Sequence, residues 1–229
     1  MKMSQASMDF RPWHPLAPCP AATIAAMTTS PPDAAPGWDD LLRTGTGPVQ
    51  QTFLDLVRTT RAYVGYSPDL VSGLLQTPGY AAAVLRLVVD FYGTPDDIEA
   101  GVAARTARAQ YIGQDGRTFH ILLGEQALYT NLGGPEVMRG QLRRLLEATD
   151  LPGLSLGIIP ARARLRIHPG GGFSIFDDNR AEVEGYRGAE TITEQGRVAL
   201  FRKAFELLRS SAVYGQAARD LIAAVLETT

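Results

Sequence analysis

The chain has 229 residues, is 45% hydrophobic and 20% charged, and carries a net charge of −2. That is the composition of an ordinary globular chain, and its charge argues against a protein built to coat nucleic acid or an anionic membrane. The single cysteine, Cys19, excludes an intramolecular disulfide, and no apolar run approaches the roughly eighteen residues of a membrane span, so a reducing cytoplasm is the expected compartment.

Residues 1–48 hold eight of the fifteen prolines. Proline removes backbone donors, so this segment reads as an irregular N-terminal arm, with Phe10, Trp13 and Trp38 available to pin it to the body. Residues 49–229 read as a single domain. From Val49 to about Val64, Phe53, Leu56, Val57, Thr60 and Val64 recur at helical spacing and predict a helix that ends at Tyr66-Ser67-Pro68. Thr77 with Pro78 predicts a capped helix running to about Phe91. Thr94-Pro95-Asp96-Asp97 predicts another, reaching about Tyr111, with Ile98, Val102, Ala109 and Ile112 inward. A strand over Thr118–Leu123 leads through Gly133-Gly134 to a helix that starts at Pro135. Short apolar runs at Leu154–Ile159, Phe173–Phe176 and Ala181–Tyr186 read as strands, followed by two helices that close the chain. Helices before and after a small sheet predict an α+β fold: a mostly antiparallel sheet packed with about six helices.

No stretch spells a catalytic motif. The most informative pattern is Arg162-Ala163-Arg164-Leu165-Arg166-Ile167-His168. If it is extended, its polar side chains share one face, and the Glu182, Glu184 and Tyr186 face of the next alternation stands ready to pair with it. Such a stripe is either a solvated edge or a patch that holds an anion, for which the forked donors of arginine are suited. Arg164, Arg166 and His168, with Phe173 beyond the loop Pro169–Gly172, are the candidate ligand-binding residues. His120, within an apolar strand, and Glu125, at its end, read as either structural or catalytic. With Glu184 and Tyr186 they form the candidate catalytic set, in acid–base or carbonyl-polarising roles. Arg105 and Arg108 share a helix face that reads as solvated. The three histidines have no metal-ligand spacing, and no cofactor is expected.

Several ordered segments carry a family resemblance. They are Ser72–Ala81, Val102–Arg105 with Arg108, Gly124–Leu128, Gly133–Met138, Gln141-Leu142, Ile158–Pro160 and Gly172–Asp177. Together, across roughly residues 50 to 227, they resemble the C-terminal domain of unknown function that follows the helix-turn-helix in Xre-type, antitoxin-like regulators of actinomycetes. The resemblance implies an effector-like domain with a role in development or secondary metabolism and a small protein partner. Residues 1–48 do not spell the helix-turn-helix, because each internal proline costs a helix about 3 kcal/mol. The expected function is therefore a stand-alone domain, possible as a homodimer, that binds a small molecule or a protein partner and not nucleic acid or membrane. The alternative is a cofactor-independent enzyme that cyclises or isomerises a small secondary metabolite, a reaction that shape can drive without leaving a motif.

Overall fold

The computed structural model describes residues 37–229. The expected contacts of Phe10 and Trp13 lie outside the described residues. Trp38 opens a short helix α1 (Trp38–Leu41), and its indole Nε1–H donates to the Gly185 carbonyl at 2.6 Å. Helix α2 (Thr46–Thr59) and strand β1 (Ala62–Ser67) follow. Helices α3 (Pro78–Tyr92) and α4 (Ile98–Ala107) separate β1 from strand β2 (Thr118–Gly124). Helix α5 (Gly134–Ala148) separates β2 from β3 (Leu154–Ile159). Strands β4 (Phe173–Phe176), β5 (Arg180–Gly185) and β6 (Gly188–Ile192) precede helices α6 (Gln195–Arg209) and α7 (Gly215–Thr228).

The six strands form one sheet in the order β3-β2-β1-β4-β5-β6. Strands β1, β2 and β3 run parallel, while β4, β5 and β6 form an antiparallel meander joined to β1. The expected mostly antiparallel sheet with about six helices is therefore corrected to a mixed sheet with seven α-helices among the described residues. Parallel neighbours need long crossovers, and α3–α4 and α5 supply them.

Part of the error lies at β1. Helical spacing carries past Thr59 to Val64 by coincidence, so β1 was read as the end of a helix. In fact Thr60 takes an extended backbone (ψ 135°) and its hydroxyl donates to Leu56 O, closing α2. Asp177 Oδ1 then accepts the amides of Arg61 and Ala62, both at 2.8 Å, and aligns the chain for pairing. Residues Tyr63 to Tyr66 are buried on both faces, so the strand shows none of the alternation that marks a half-exposed one.

The sheet's first face carries Tyr63, Phe119, Ile121, Leu123, Leu156, Ile158 and Phe176 into the larger core, with α2, α3, α5 and α7. Its second face carries Val64, Tyr66, Leu122, Phe173 and Ile175 onto Val198, Phe205 and Leu208 of α6. On the first face the apolar character stops at the meander. The register Gly65↔Ser174↔Glu182↔Thr191 puts polar groups there, with Glu184 two residues further along β5.

The Arg162–His168 run is not a strand. It lies in the irregular connection from β3 to β4, and both edges of β5 are already taken by β4 and β6. Its alternation survives as burial: Ala163, Leu165 and Ile167 pack against the α6-side core, while Arg162, Arg164, Arg166 and His168 face solvent. Glu182 pairs instead with Arg180 on its own strand, at 2.5 Å.

Candidate anion-binding recess

Helix α4 turns inward a different stripe from the expected one. Gly101, Ala104 and Arg108 are buried, and Arg105 is half-buried beside them. Ile98, Val102 and Ala109 are only partly covered. Small residues in this stripe let α4 close on α2: a methyl group at Gly101 would meet Thr46 Oγ1 at 2.5 Å. Close approach carries the two arginines, one turn further on, into the space between α2, α4 and the polar end of the sheet.

Gln50 of α2 organises them. Its Oε1 accepts Arg105 Nε–H at 2.8 Å and Arg108 Nη2–H at 2.6 Å, and its backbone carbonyl accepts Arg108 Nη2–H at 2.9 Å. Arg105 Nη1–H also donates to Gln76 Oε1 at 3.1 Å, and Gln76 is fixed in turn by Nε2–H donating to Val71 O at 2.8 Å. The Arg108 guanidinium stacks over Phe53, 5.2 Å from the ring centroid. Its Nε–H is buried and has no acceptor among the described residues. Among those residues, no carboxylate comes within ion-pair distance of either arginine.

Burial pushes Arg105 down to about 10. Burial, with the charge of Arg105 beside it, pushes Arg108 down to about 9. Both stay cationic at neutral pH. Glu184 is the carboxylate that favours the charged forms of both. Its side chain is open to water, yet burial pushes its carboxyl above the ordinary range, against the pull of Arg105 and Arg108. The space between α2, α4 and the end of β5, where Glu184 stands near both arginines, is the candidate recess. Glu182 does not add free charge, since Arg180 and the Thr191 hydroxyl hold its carboxylate. Two guanidinium groups facing one reluctant carboxylate leave the recess positive.

Tyr63 forms part of its base. The phenol folds back over Gly65, where a methyl group would lie 2.6 Å from its oxygen, and shares a 2.7 Å hydrogen bond with Ser174 Oγ. Burial pushes this phenol above its usual value, so Tyr63 stays neutral.

Of the sequence-predicted site residues, only Glu184 faces the two arginines. His120 lies on the second face of the sheet. Its Nε2 is 2.8 Å from Tyr214 Oη, its ring meets Phe205 edge-on, and it borders a cleft of about 460 Å³ with Arg202, Glu206 and Arg209. Burial, reinforced by Arg209 and Arg202, lowers its pKa, while burial pushes Tyr214 up to about 12. Glu125 ties down the chain leaving β3, because its Oε2 accepts the Ala161 amide at 2.6 Å. Arg164, Arg166 and His168 are exposed. Phe173 is buried against Tyr66 and Phe201. Tyr186 sits exposed at the β5–β6 turn beside Phe91. The sequence reading did not assign Arg105, Arg108, Gln50, Gln76 or Tyr63 to a site. Its one available signal was the Gly101, Ala104, Arg105, Arg108 spacing, which is a helical stripe of small residues running into two arginines.

The family model for a domain of unknown function, DUF5753, matches residues 50–224, and so spans the recess and both faces of the sheet. The chain belongs to the DUF5753 family. No curated protein matches this DUF5753 chain in sequence. Among solved structures it is similar to NucT from Helicobacter pylori at 11% identity and a TM-score of 0.37, over 73% of this chain and 94% of that one. Among the described residues of the DUF5753 protein, no helix is long and apolar enough to cross a membrane, and no cluster of three or more His, Cys, Asp or Glu side chains is placed to hold a metal ion.

Proposed function

We propose that this DUF5753 protein is a binding domain for a small anionic molecule, a carboxylate or a phosphate, held by Arg105 and Arg108. The observation that carries the reading is the state of those arginines. Arg108 is buried and Arg105 half-buried, their bonds go to amide and carbonyl oxygens, and the Nε–H of Arg108 is left without an acceptor. A buried cation without a paired acid is costly, whereas an incoming anion supplies both charge and acceptors. Gln50, Gln76 and Phe53 hold the guanidinium planes, so little ordering remains at the moment of binding. The resemblance to the C-terminal part of Xre-type regulators supports giving the recess an effector-sensing role in the cytoplasm.

Isothermal titration with inorganic phosphate and with short carboxylates, at matched chloride, tests the reading. Binding to the parent is expected, with affinity falling at least about tenfold, or about 1.4 kcal/mol, in Arg105→Gln and in Arg108→Gln. Arg164→Gln and Arg166→Gln, on the exposed β3–β4 connection, are expected to leave it unchanged. Equal affinities in all four variants, each shown folded by circular dichroism, would refute the reading.

A further inference from the structure

The cleft beside His120 opens at the amino ends of β1, β2 and β3, where Ala62, Thr118 and Leu154 begin the three parallel strands. It lies at the opposite end of β1 from Ser72 and Gln76, which follow that strand. Its volume of about 460 Å³ is that of a small-molecule site. The second face of the sheet supplies the cross-strand row Val64, His120 and Ser155. Helix α6 supplies Arg202, Glu206 and Arg209, whose spacing of four and three residues puts them on one side of the helix. All six border the same cavity, so one small molecule reaches them.

His120 is the fixed point of the cleft. Phe205 meets its ring edge-on at 5.0 Å, and Tyr214 Oη lies 2.8 Å from Nε2. Tyr214 is itself anchored, because Val213 exchanges both backbone hydrogen bonds with Ile158 of β3, at 2.8 and 3.0 Å. The phenol stays protonated, a state suited to its hydroxyl donating to Nε2, which places the ring proton on Nδ1. Among the described residues Nδ1 has no hydrogen-bond partner. Arg202 is uncommitted as well. Its distances of 3.6 Å to Asp178 Oδ1 and 4.0 Å to Glu206 Oε1 are longer than hydrogen bonds, whereas Arg209 is held by Glu206 at 2.7 Å.

We propose that this cleft is a second ligand site, for a small carboxylate or tetrahedral oxyanion seated between His120, Arg202 and Arg209, and that the ligand enters together with a proton on His120. Burial and the charges of Arg209 and Arg202 disfavour the imidazolium in the empty cleft, against the pull of Glu206. An anion between them offsets the two arginines. Tyr214 keeps its bond in both states, since its hydroxyl donates to a neutral ring and accepts from a charged one. By linkage the anion raises the titration midpoint of His120, and its own affinity falls as pH rises past that midpoint. The site shares no residue with the recess around Arg105 and Arg108.

Proton nuclear magnetic resonance of the imidazole C–H signals tests this in the full chain, titrated with butyrate and with sulfate from about pH 5.5 to about pH 8, where both are ionised. His120→Gln identifies the signal, and exposed His168 serves as the control. The side-chain Nε–H signals of Arg105 and Arg108 report the recess in the same samples. With at least one anion the His120 midpoint is expected to rise by about one pH unit, equivalent to about tenfold tighter binding below it than above, while His168 stays in place. The anion that binds better names the head group. Arg202→Gln, at a half-exposed position, should remove most of the rise, and Glu206→Gln, which releases Arg209, should tighten binding. An unchanged His120 midpoint overturns the cleft, and movement of the Arg105 and Arg108 signals in that case leaves the recess standing. Equal shifts of His120 and His168 mean general screening, and an Arg202→Gln variant that binds as the parent does means no arginine seat; either result overturns the proposal.

Discussion

The Nε–H of Arg108 carries the most information for its size. A buried donor without an acceptor costs on the order of 1–3 kcal/mol, more when it belongs to a charged group, and such groups rarely persist without a use. Glu184 extends the point to pH. Burial raises its folded-state pKa, so the folded chain holds this proton more tightly than the unfolded chain does. Its contribution to stability is therefore present at low pH and is lost as pH rises from the ordinary carboxylate value through the raised one. Glu184→Gln removes that loss. Its melting temperature relative to the parent should be near zero difference at about pH 4 and positive at about pH 7. A thermal unfolding series showing the parent gaining on the variant as pH rises would contradict the recess environment described for Glu184. At this scale the sequence was least legible. The placement of Arg105 and Arg108 on one helix face was visible, but whether that face was wet depended on Gln50, more than fifty residues earlier, and on how closely two helices could approach.

At the scale of elements, Asp97 shows how the recess is assembled. The sequence predicts a helix start at Thr94-Pro95, whereas α4 begins at Ile98 with Asp97 at its N-cap, and the Asp97 carboxylate is committed elsewhere. It accepts Thr46 N–H at 2.7 Å, the Thr46 hydroxyl at 2.8 Å and Gly47 N–H at 2.7 Å, and so caps α2 from across the α2–α4 contact. Gln50 sits one turn into α2 from this cap. Loss of a helix cap costs about 1–2 kcal/mol, and in a chain of this size each kcal/mol lowers the melting temperature by about 2–4 °C. Asp97→Ala is therefore expected to melt several degrees lower and to bind anions more weakly, because the α2 end that presents Gln50 loosens. A melting temperature equal to the parent's would contradict this. Elements bounded by strong local chemistry were legible: Thr77 caps α3 with Pro78 behind it, and β2, α5, β3 and β4 fall where the apolar runs put them. Strand β1 was not, since a strand buried on both faces has no alternation to read. The short β6 was also missed, being mostly polar at a sheet edge. The Arg162–His168 alternation was real, but it recorded one-sided burial of an irregular segment.

For the whole molecule, the decisive feature is the place where the sheet changes character. β1 has a parallel neighbour on one side and an antiparallel neighbour on the other. Ser174 and Glu184 lie toward its carboxyl end, and Ser72 and Gln76 follow just after it. Open sheets tend to bind ligands in the crevice beyond strand carboxyl ends where the order of connection reverses. A mostly antiparallel sheet would have no such point, so the corrected topology is what gives the recess its position. The α+β character could be read from the order of helices and apolar runs. The switch point could not, because it needs β1.

The most direct measurement is a titration of the arginine side-chain Nε–H resonances by nuclear magnetic resonance with inorganic phosphate, chloride held constant. The recess predicts that two such signals move saturably, that Arg105→Gln and Arg108→Gln each remove one of them, and that the signals of the exposed arginines at 164 and 166 stay in place. If phosphate leaves the Arg105 and Arg108 signals where they were, or moves all arginines alike in proportion to its concentration, these two guanidinium groups are not a receptor for anions.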